Sequence, residues 1–273
     1  MPSVRAVDSP GVYTEGVTII YEGSSESGRY RIVDRIYNDR PSRLLLSGDQ
    51  ATPQSGLALD DNLEMLFDYN RRLLEVALSL HPQSVLVIGG GAFTLPRAIR
   101  THLPAARVDV VEIDPLLPRL ARKYFQLRRD RQLKIHIADG RDYIDRCQSQ
   151  YDLIIVDAFS EYDIPKRLLT IEAAQQYARL LAPDGSLALN SISRYRGSLP
   201  TLAHRLLASF RGSFTSLALY PADMHDMQDE DQNLILIASH QQSLNLDYLL
   251  SDQVHPQQLD ESVLRMYDAD ISA

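Results

Sequence analysis

Hydrophobic and polar residues follow three different patterns along the first third of the chain. Between Val17 and Ser47, short β-prone runs are broken by Gly-Ser and Asn-Asp-Arg-Pro turns, which predicts a small antiparallel β unit. Residues 48–61 are rich in Gly, Pro, Gln, Ser and Asp, so we predict a loop there. The apolar residues that follow have helical spacing and predict a helix leading into the rest of the chain: Leu63, Leu66, Phe67, Leu73, Leu74, Ala77 and Leu80.

From Ser84 onward, apolar runs typical of buried strands alternate with helical patterns. These runs are SVLVI, RVDVVEI, LKIHI, YDLIIVD and SLALNS, and we expect the intervening helices to open near Thr94, at Asp114-Pro115 and near Thr170. Such alternation predicts a parallel sheet with helices on both faces. The last two runs, FTSLALY and NLILIAS, are separated by too few residues for a helical crossover, so they should pair antiparallel.

These patterns together predict an α/β fold of the methyltransferase type, which is Rossmann-like. Its mostly parallel seven-stranded sheet has an antiparallel last strand and is preceded by the small N-terminal β unit. We divide the chain into residues 1–61 for the β-rich unit and its loop, 62–240 for the α/β domain, and 241–273 for a polar, partly helical tail.

Composition and charge exclude several classes of function. The 28 Lys+Arg against 36 Asp+Glu give a net charge of −8, which repels phosphates and argues against a nucleic acid partner. One cysteine cannot form an internal disulfide, and the seven histidines lack paired ligand spacing, so we expect no metal site. No apolar run approaches the ~20 residues of a membrane helix, and the first residues lack a leader pattern. We therefore expect a cytoplasmic protein without membrane contact.

Glycines and acids at successive strand ends predict a nucleoside site. Gly89-Gly90-Gly91 follows SVLVI directly, where missing side chains let backbone amides approach a ligand, although a tight turn is the alternative. Glu112 ends the next strand about twenty residues later, where a carboxylate can accept ribose hydroxyl protons. Asp139, before Gly140, is placed to bind an adenine amino group or to cap a helix.

Two further acids extend this pattern. Asp114 precedes Pro115 and is either a ligand-binding residue or only a helix cap. Asp157 follows the apolar run LIIV at a strand end, where partial burial would raise its pKa and suit it to proton transfer or to facing a sulfonium. The combination predicts that residues 84–190 bind S-adenosylmethionine or a close relative of it.

At this point the sequence resembles the spermidine synthase (polyamine aminopropyltransferase) family, in a divergent branch of the S-adenosylmethionine-dependent methyltransferase superfamily. The resemblance rests on LLLSGDQATPQSG, SVLVIGGG, VDVVEID, IADGRDYI, YDLIIVDAFS and LLAPDGSLALN. It implies that the glycine turn contacts the cofactor, Glu112 binds the ribose and Asp139 the adenine. It also implies that Gln54 closes over the nucleoside, that Asp157 is the catalytic carboxylate, and that the protein forms a homodimer.

Two departures from the family pattern leave the reaction open. Ala92 stands where members with polyamine activity carry an acid after the triglycine, and Ser160 stands where they carry a second acid after the catalytic one. We therefore assign Glu161 and Asp163 as candidate ligands of a distal ammonium. Tyr69 is a candidate for cation–π contact with an amine.

Three functional hypotheses follow. The favoured one is aminopropyl transfer from decarboxylated S-adenosylmethionine to a putrescine-like amine, with Asp157 helping to present the neutral amine, a step that costs about 4 to 5 kcal/mol at pH 7. The second is methyl transfer from intact S-adenosylmethionine to a small molecule, which the absence of an acid at Ala92 supports. The third is a catalytically degenerate nucleoside-binding module.

Overall fold

The computed structural model describes residues 16–48, 53–159, 164–194, 202–222 and 231–241. Its first sheet is antiparallel and has the strand order β1-β2-β3-β4. The strands are β1 (Val17–Ser24), β2 (Arg29–Tyr37), β3 (Arg40–Ser47) and β4 (Pro53–Ala58). The predicted antiparallel β unit is confirmed, whereas the tail after residue 241 lies outside the described residues.

Strand β4 corrects the prediction of a loop over residues 48–61. Its first four residues, Pro53 to Gly56, lack the alternation that marks a strand, so the sequence pattern missed it. The strand is held by antiparallel pairing with β3, in which Leu57 lies opposite Arg43. Leu57 and Ala58 are both buried, so only the end of β4 carries an apolar signal.

The second sheet has seven strands in the order β10-β11-β9-β8-β5-β6-β7. Pairing is parallel from β9 to β7, and β11 is antiparallel to both of its neighbours, which confirms the predicted fold class and the terminal hairpin. The strands are β5 (Ser84–Ile88), β6 (Arg107–Glu112), β7 (Leu133–Ile137), β8 (Tyr151–Val156), β9 (Leu181–Ser193), β10 (Ser216–Pro221) and β11 (Gln232–Ser239).

Helices cover both faces of this sheet. They are α1 (Asp68–Leu80), α2 (Thr94–His102), α3 (Leu117–Tyr124), α4 (Gly140–Arg146), α5 (Ile171–Leu180) and α6 (Leu202–Phe210). Because side chains alternate along a strand, Val85 and Val87 pack toward α1 and α2, whereas Leu86 and Ile88 pack toward α4, α5 and α6. None of the described helices is long and apolar enough to cross a membrane.

Two helices begin later than the sequence predicts. Apolar spacing placed the start of α1 near Leu63, but the helix begins at Asp68, and the residues before it form turns. Helix α3 begins at Leu117 rather than at Asp114-Pro115. The Asp114 carboxylate accepts a hydrogen bond from the amide of Leu116 at 2.8 Å, which forms a turn that precedes the helix.

The N-terminal sheet packs on α3 and thereby covers one side of the larger domain. Leu45 and Leu57 share an apolar cluster with Leu117 and Leu120. Across the same contact, the Ser25 hydroxyl donates a hydrogen bond to the Asp114 carboxylate. These contacts place strands β2 and β4 above the carboxyl ends of the parallel strands.

Candidate active site

The carboxyl ends of four adjacent strands converge on a cavity of about 880 Å³. This size accommodates a nucleoside together with a second small molecule. The predicted residues that line it are Gln54, Tyr69, Gly89, Gly90, Gly91, Glu112, Asp139, Gly140 and Asp157. The other two candidates, Glu161 and Asp163, lie outside the described residues.

The glycine turn lets β5 approach β8 without side chains between them. Gly89 has a φ of +99°, and a Cβ there would lie 2.2 Å from the carbonyl oxygen of Asp157. At Gly90 a Cβ would lie 2.6 Å from the Phe93 ring and 3.1 Å from the Glu112 carboxylate. Glycine is therefore required by close packing at both positions.

Glu112 is held against this turn by backbone amides. Its Oε2 accepts hydrogen bonds from Gly90 N at 2.8 Å and Gly91 N at 3.2 Å, and its Oε1 accepts one from Asp114 N at 2.9 Å. Burial raises the pKa of the Glu112 carboxyl, and the three amides oppose that rise. Because a carboxylate offers about four acceptor positions, one position remains for a ligand hydroxyl.

Asp139 is a helix cap whose second carboxylate oxygen remains available to a ligand. Its Oδ1 accepts a hydrogen bond from Asp142 N at 3.0 Å, so Asp139 is the N-cap of α4. Arg167 lies 3.4 Å from the same oxygen. Neither contact uses Oδ2, and Asp139 lines the cavity, so the cap leaves an acceptor for a nucleobase amino group.

Asp157 lies directly after β8 with its side chain only partly exposed. Burial raises the pKa of its carboxyl to about 6, and a hydrogen bond from Asn190 opposes that rise. The Asn190 Nδ2 donates to Asp157 Oδ1 at 3.0 Å. The result is a carboxylate that is ionised at neutral pH but is far more basic than an ordinary aspartate.

Asn190 and Asn70 are polar residues of this site that the sequence reasoning missed. Asn190 is fully buried, Asn70 is 4% exposed, and neither side-chain oxygen has a hydrogen-bond donor among the described residues. Asn190 lies inside β9 rather than at a strand end, and its hydrogen bond to Asp157 is what makes it part of the site. Asn70 lines the cavity at the start of α1 and carries no signal in the sequence, because Asn is common in helix N-terminal turns.

Tyr69 joins the N-terminal sheet to the neighbourhood of Asp157. Its hydroxyl donates a hydrogen bond to the backbone oxygen of Gln54 at 3.0 Å. Burial and the nearby Asp157 raise the pKa of this phenol, so Tyr69 remains a neutral donor. Phe67 stacks on Tyr69 with ring centroids 5.8 Å apart, which gives this part of the cavity an aromatic wall.

Ala92, where the resemblance would place an acid, does not line the cavity. It is 1% exposed and packs in the apolar cluster between the N-terminal sheet and α3. Phe93 next to it is fully buried with a φ of +60°. Among the described residues, no group of three or more His, Cys, Asp or Glu side chains could hold a metal ion.

Comparison with known proteins finds the family that the sequence resembles. Residues 66–195 match the family described as the spermine/spermidine synthase domain. A polyamine aminopropyltransferase of Vibrio vulnificus is 35% identical over 115 residues, which are 41% of this chain and 38% of that enzyme. The match therefore spans about two fifths of that relative.

Two solved structures show the same fold. A probable spermidine synthase from Corynebacterium glutamicum aligns with a TM-score of 0.72 at 24% identity, over 90% of this chain and 92% of the other. Human methyltransferase-like protein 13 in complex with SAH aligns with a TM-score of 0.54 at 26% identity, over 72% and 91%. The fold is thus that of the S-adenosylmethionine-dependent methyltransferase superfamily. Within it, the chain carries a domain of the spermine/spermidine synthase family.

Proposed function

We propose that this chain transfers an aminopropyl group from decarboxylated S-adenosylmethionine to a small amine. The observation that carries the proposal is the Asp157 carboxylate, with its pKa raised to about 6, on the wall of a cavity that also holds the glycine turn and Glu112. Glu112 and Asp139 hold the nucleoside, and Gln54 covers it from the N-terminal sheet. Asp157 faces the acceptor.

Asp157 acts as the proton acceptor for the amine. The amine nitrogen attacks the carbon next to the sulfonium, the carbon–sulfur bond breaks, and a neutral thioether leaves. The proton lost by the nitrogen passes to Asp157. Burial raises the pKa of the Asp157 carboxyl from 3.8 to about 6, which brings it closer to the pKa of an amine. This change lowers the free energy of the proton transfer from the amine to Asp157 by roughly 3 kcal/mol.

The charges around the cavity favour the decarboxylated donor. Among the described residues that line the cavity, two are cationic: Arg141 and Arg167. Arg141 binds Asp145 at 3.0 Å, and Arg167 binds Asp142 at 2.8 Å, so both are already paired with carboxylates. A methionyl carboxylate would therefore find no uncommitted cation among the described lining residues, whereas a plain aminopropyl end does not need one.

Methyl transfer to an amine is the second candidate, and one observation favours it. Ala92 packs away from the cavity, so this position supplies no acid to bind a cationic aminopropyl end. The human structural relative that was solved with SAH is named methyltransferase-like protein 13. In this reaction Asp157 would serve as the same proton acceptor.

Calorimetric titration of the full chain with each donor separates the candidates. Tighter binding of decarboxylated S-adenosylmethionine, followed by amine-dependent release of the thioether, is the expected result. Tighter binding of intact S-adenosylmethionine would move the function to methyl transfer. Binding of neither donor would reject both reactions.

The role of Asp157 is tested with Asp157→Asn and the matched change Asp184→Asn at an exposed position of β9. We expect Asp157→Asn to lower kcat by about 10²- to 10⁴-fold while donor affinity is retained. Wild-type kcat/KM should fall as the pH drops through about 6, because Asp157 is then protonated. Full turnover in Asp157→Asn would rule out the proposed proton acceptor.

A further inference from the structure

Six exposed cations lie on α3, on the loop after it and on β7. This basic patch consists of Arg119, Arg122, Arg128, Arg129, Arg131 and Lys134. None of them forms an ion pair with a described acid, and the one acid between residues 119 and 134, Asp130, binds Arg100 at 2.7 Å. Since the whole chain carries a charge of −8, the rest of the molecule is strongly acidic by comparison.

An acidic segment of the same chain complements this patch. Residues 242–273 contain one arginine and six acids: Asp247, Asp252, Asp260, Glu261, Asp268 and Asp270. An extended nucleic acid or a second whole copy would also meet the acidic remainder of the surface and be repelled there. A short acidic polypeptide segment can contact the patch alone.

The sheet register shows where this segment starts relative to the patch. Ser239 of β11 and Leu133 of β7 lie on one row of paired residues that crosses the whole sheet. Gln241, the last described residue, is therefore at the same end of the sheet as Arg131. The row crosses five strand spacings, about 24 Å. The 32 residues after Gln241 can span about 100 Å when extended, so the reach is sufficient.

We propose that residues 242–273 dock on the basic patch of their own chain. The contact neutralises six like charges, and it covers β7, which is an edge strand of the sheet. Each exposed ion pair contributes about 0–1 kcal/mol, so the contact depends on several pairs together and weakens with added salt. The proposal is independent of the reaction assigned to the cavity.

Zero-length cross-linking tests the contact in the full chain, because the sequence has only three lysines. Carbodiimide joins carboxylates to amines, and the side-chain amines are Lys123 and Lys134 on the patch segment and Lys166, which lies beyond the carboxyl ends of the parallel strands. Mass spectrometry at low salt should find the acids of residues 242–273 joined to Lys134 and Lys123, at least about fivefold more often than to Lys166. These products should fall at 0.5 M salt, where the Debye length is only about 4 Å.

Two controls make the outcome decisive. The pair Arg128→Glu and Arg129→Glu should reduce these cross-links, whereas the exposed pair Arg146→Glu and Arg205→Glu should not. Mixing ¹⁵N-labelled and unlabelled protein should give cross-links within one isotopic species. Cross-links between species would assign the patch to a second copy and overturn the proposal. Cross-linking to Lys166 as often as to Lys134 and Lys123 would overturn the proposal. It would also be overturned if no cross-links of residues 242–273 formed and a short RNA bound to the wild type but not to the Arg128→Glu, Arg129→Glu variant.

Discussion

At the residue scale, Asp157 is a carboxylate whose ionisation opposes folding. Its pKa is about 6 in the folded protein against an ordinary value of 3.8, so the folded state binds the proton more tightly. The contribution of Asp157 to the free energy of unfolding is therefore most favourable below about pH 4, and it is lost as the pH rises through 6. Two pKa units correspond to roughly 3 kcal/mol of folding stability. Because the side chain is partly exposed, we expect ionisation of Asp157 to lower the stability by about 1–3 kcal/mol.

This linkage predicts that Asp157→Asn stabilises the fold while it inactivates the site. Urea unfolding at pH 8 should give the variant about 1–3 kcal/mol more stability than the wild type, because the ionised carboxylate is gone. Near pH 4 the two proteins should differ little, since Asp157 is then protonated in the fold. Asp184→Asn provides the comparison, and an equal gain from that exposed position would show that burial of Asp157 is not the cause.

At the scale of elements, the turn between β5 and α2 depends on one glycine more than on the others. At Gly89 the φ is +99° and a Cβ would lie 2.2 Å from the Asp157 carbonyl oxygen. Gly89→Ala should therefore lower the free energy of unfolding by more than about 2 kcal/mol and displace Asp157. At Gly91 the φ is +52°, but a Cβ would approach only Ser55, at 3.5 Å. Gly91→Ala should therefore lower the free energy of unfolding by about 1 kcal/mol. Urea unfolding should rank Gly89→Ala, Gly91→Ala and the open control Gly212→Ala in that order, and equal losses at Gly89 and Gly91 would contradict the packing argument.

The elements also show how far the sequence alone can go. Strands β5, β6 and β8 are mostly apolar and buried on both faces, so their ends, and the acids Glu112 and Asp157, could be predicted from the pattern. Strand β4 could not, because cross-strand pairing rather than apolar alternation holds it. Asn190 was missed for a different reason: its hydrogen bond to Asp157 depends on the neighbouring positions of β8 and β9, which the sequence does not display.

At the scale of the whole molecule, the N-terminal sheet supports the cavity through a chain of hydrogen bonds. Ser25, in the β1–β2 turn, donates to the Asp114 carboxylate, which is fully buried. The Asp114 amide in turn donates to Glu112 at 2.9 Å, and Glu112 accepts from the glycine turn. A change in the small sheet can therefore reach Glu112 and the glycine turn on the wall of the cavity.

Ser25→Ala tests this connection between the two sheets. Removing a donor from a buried carboxylate should cost about 1.5–3 kcal/mol, and the donor affinity should fall because Asp114 no longer holds Glu112 firmly. Ser24→Ala, at an exposed neighbouring position, should change neither quantity. Denaturant unfolding and calorimetric titration of both variants give the comparison. If Ser25→Ala lost stability but kept wild-type affinity, the small sheet would stabilise the fold without positioning Glu112. Loss of both properties would make the two sheets one binding unit.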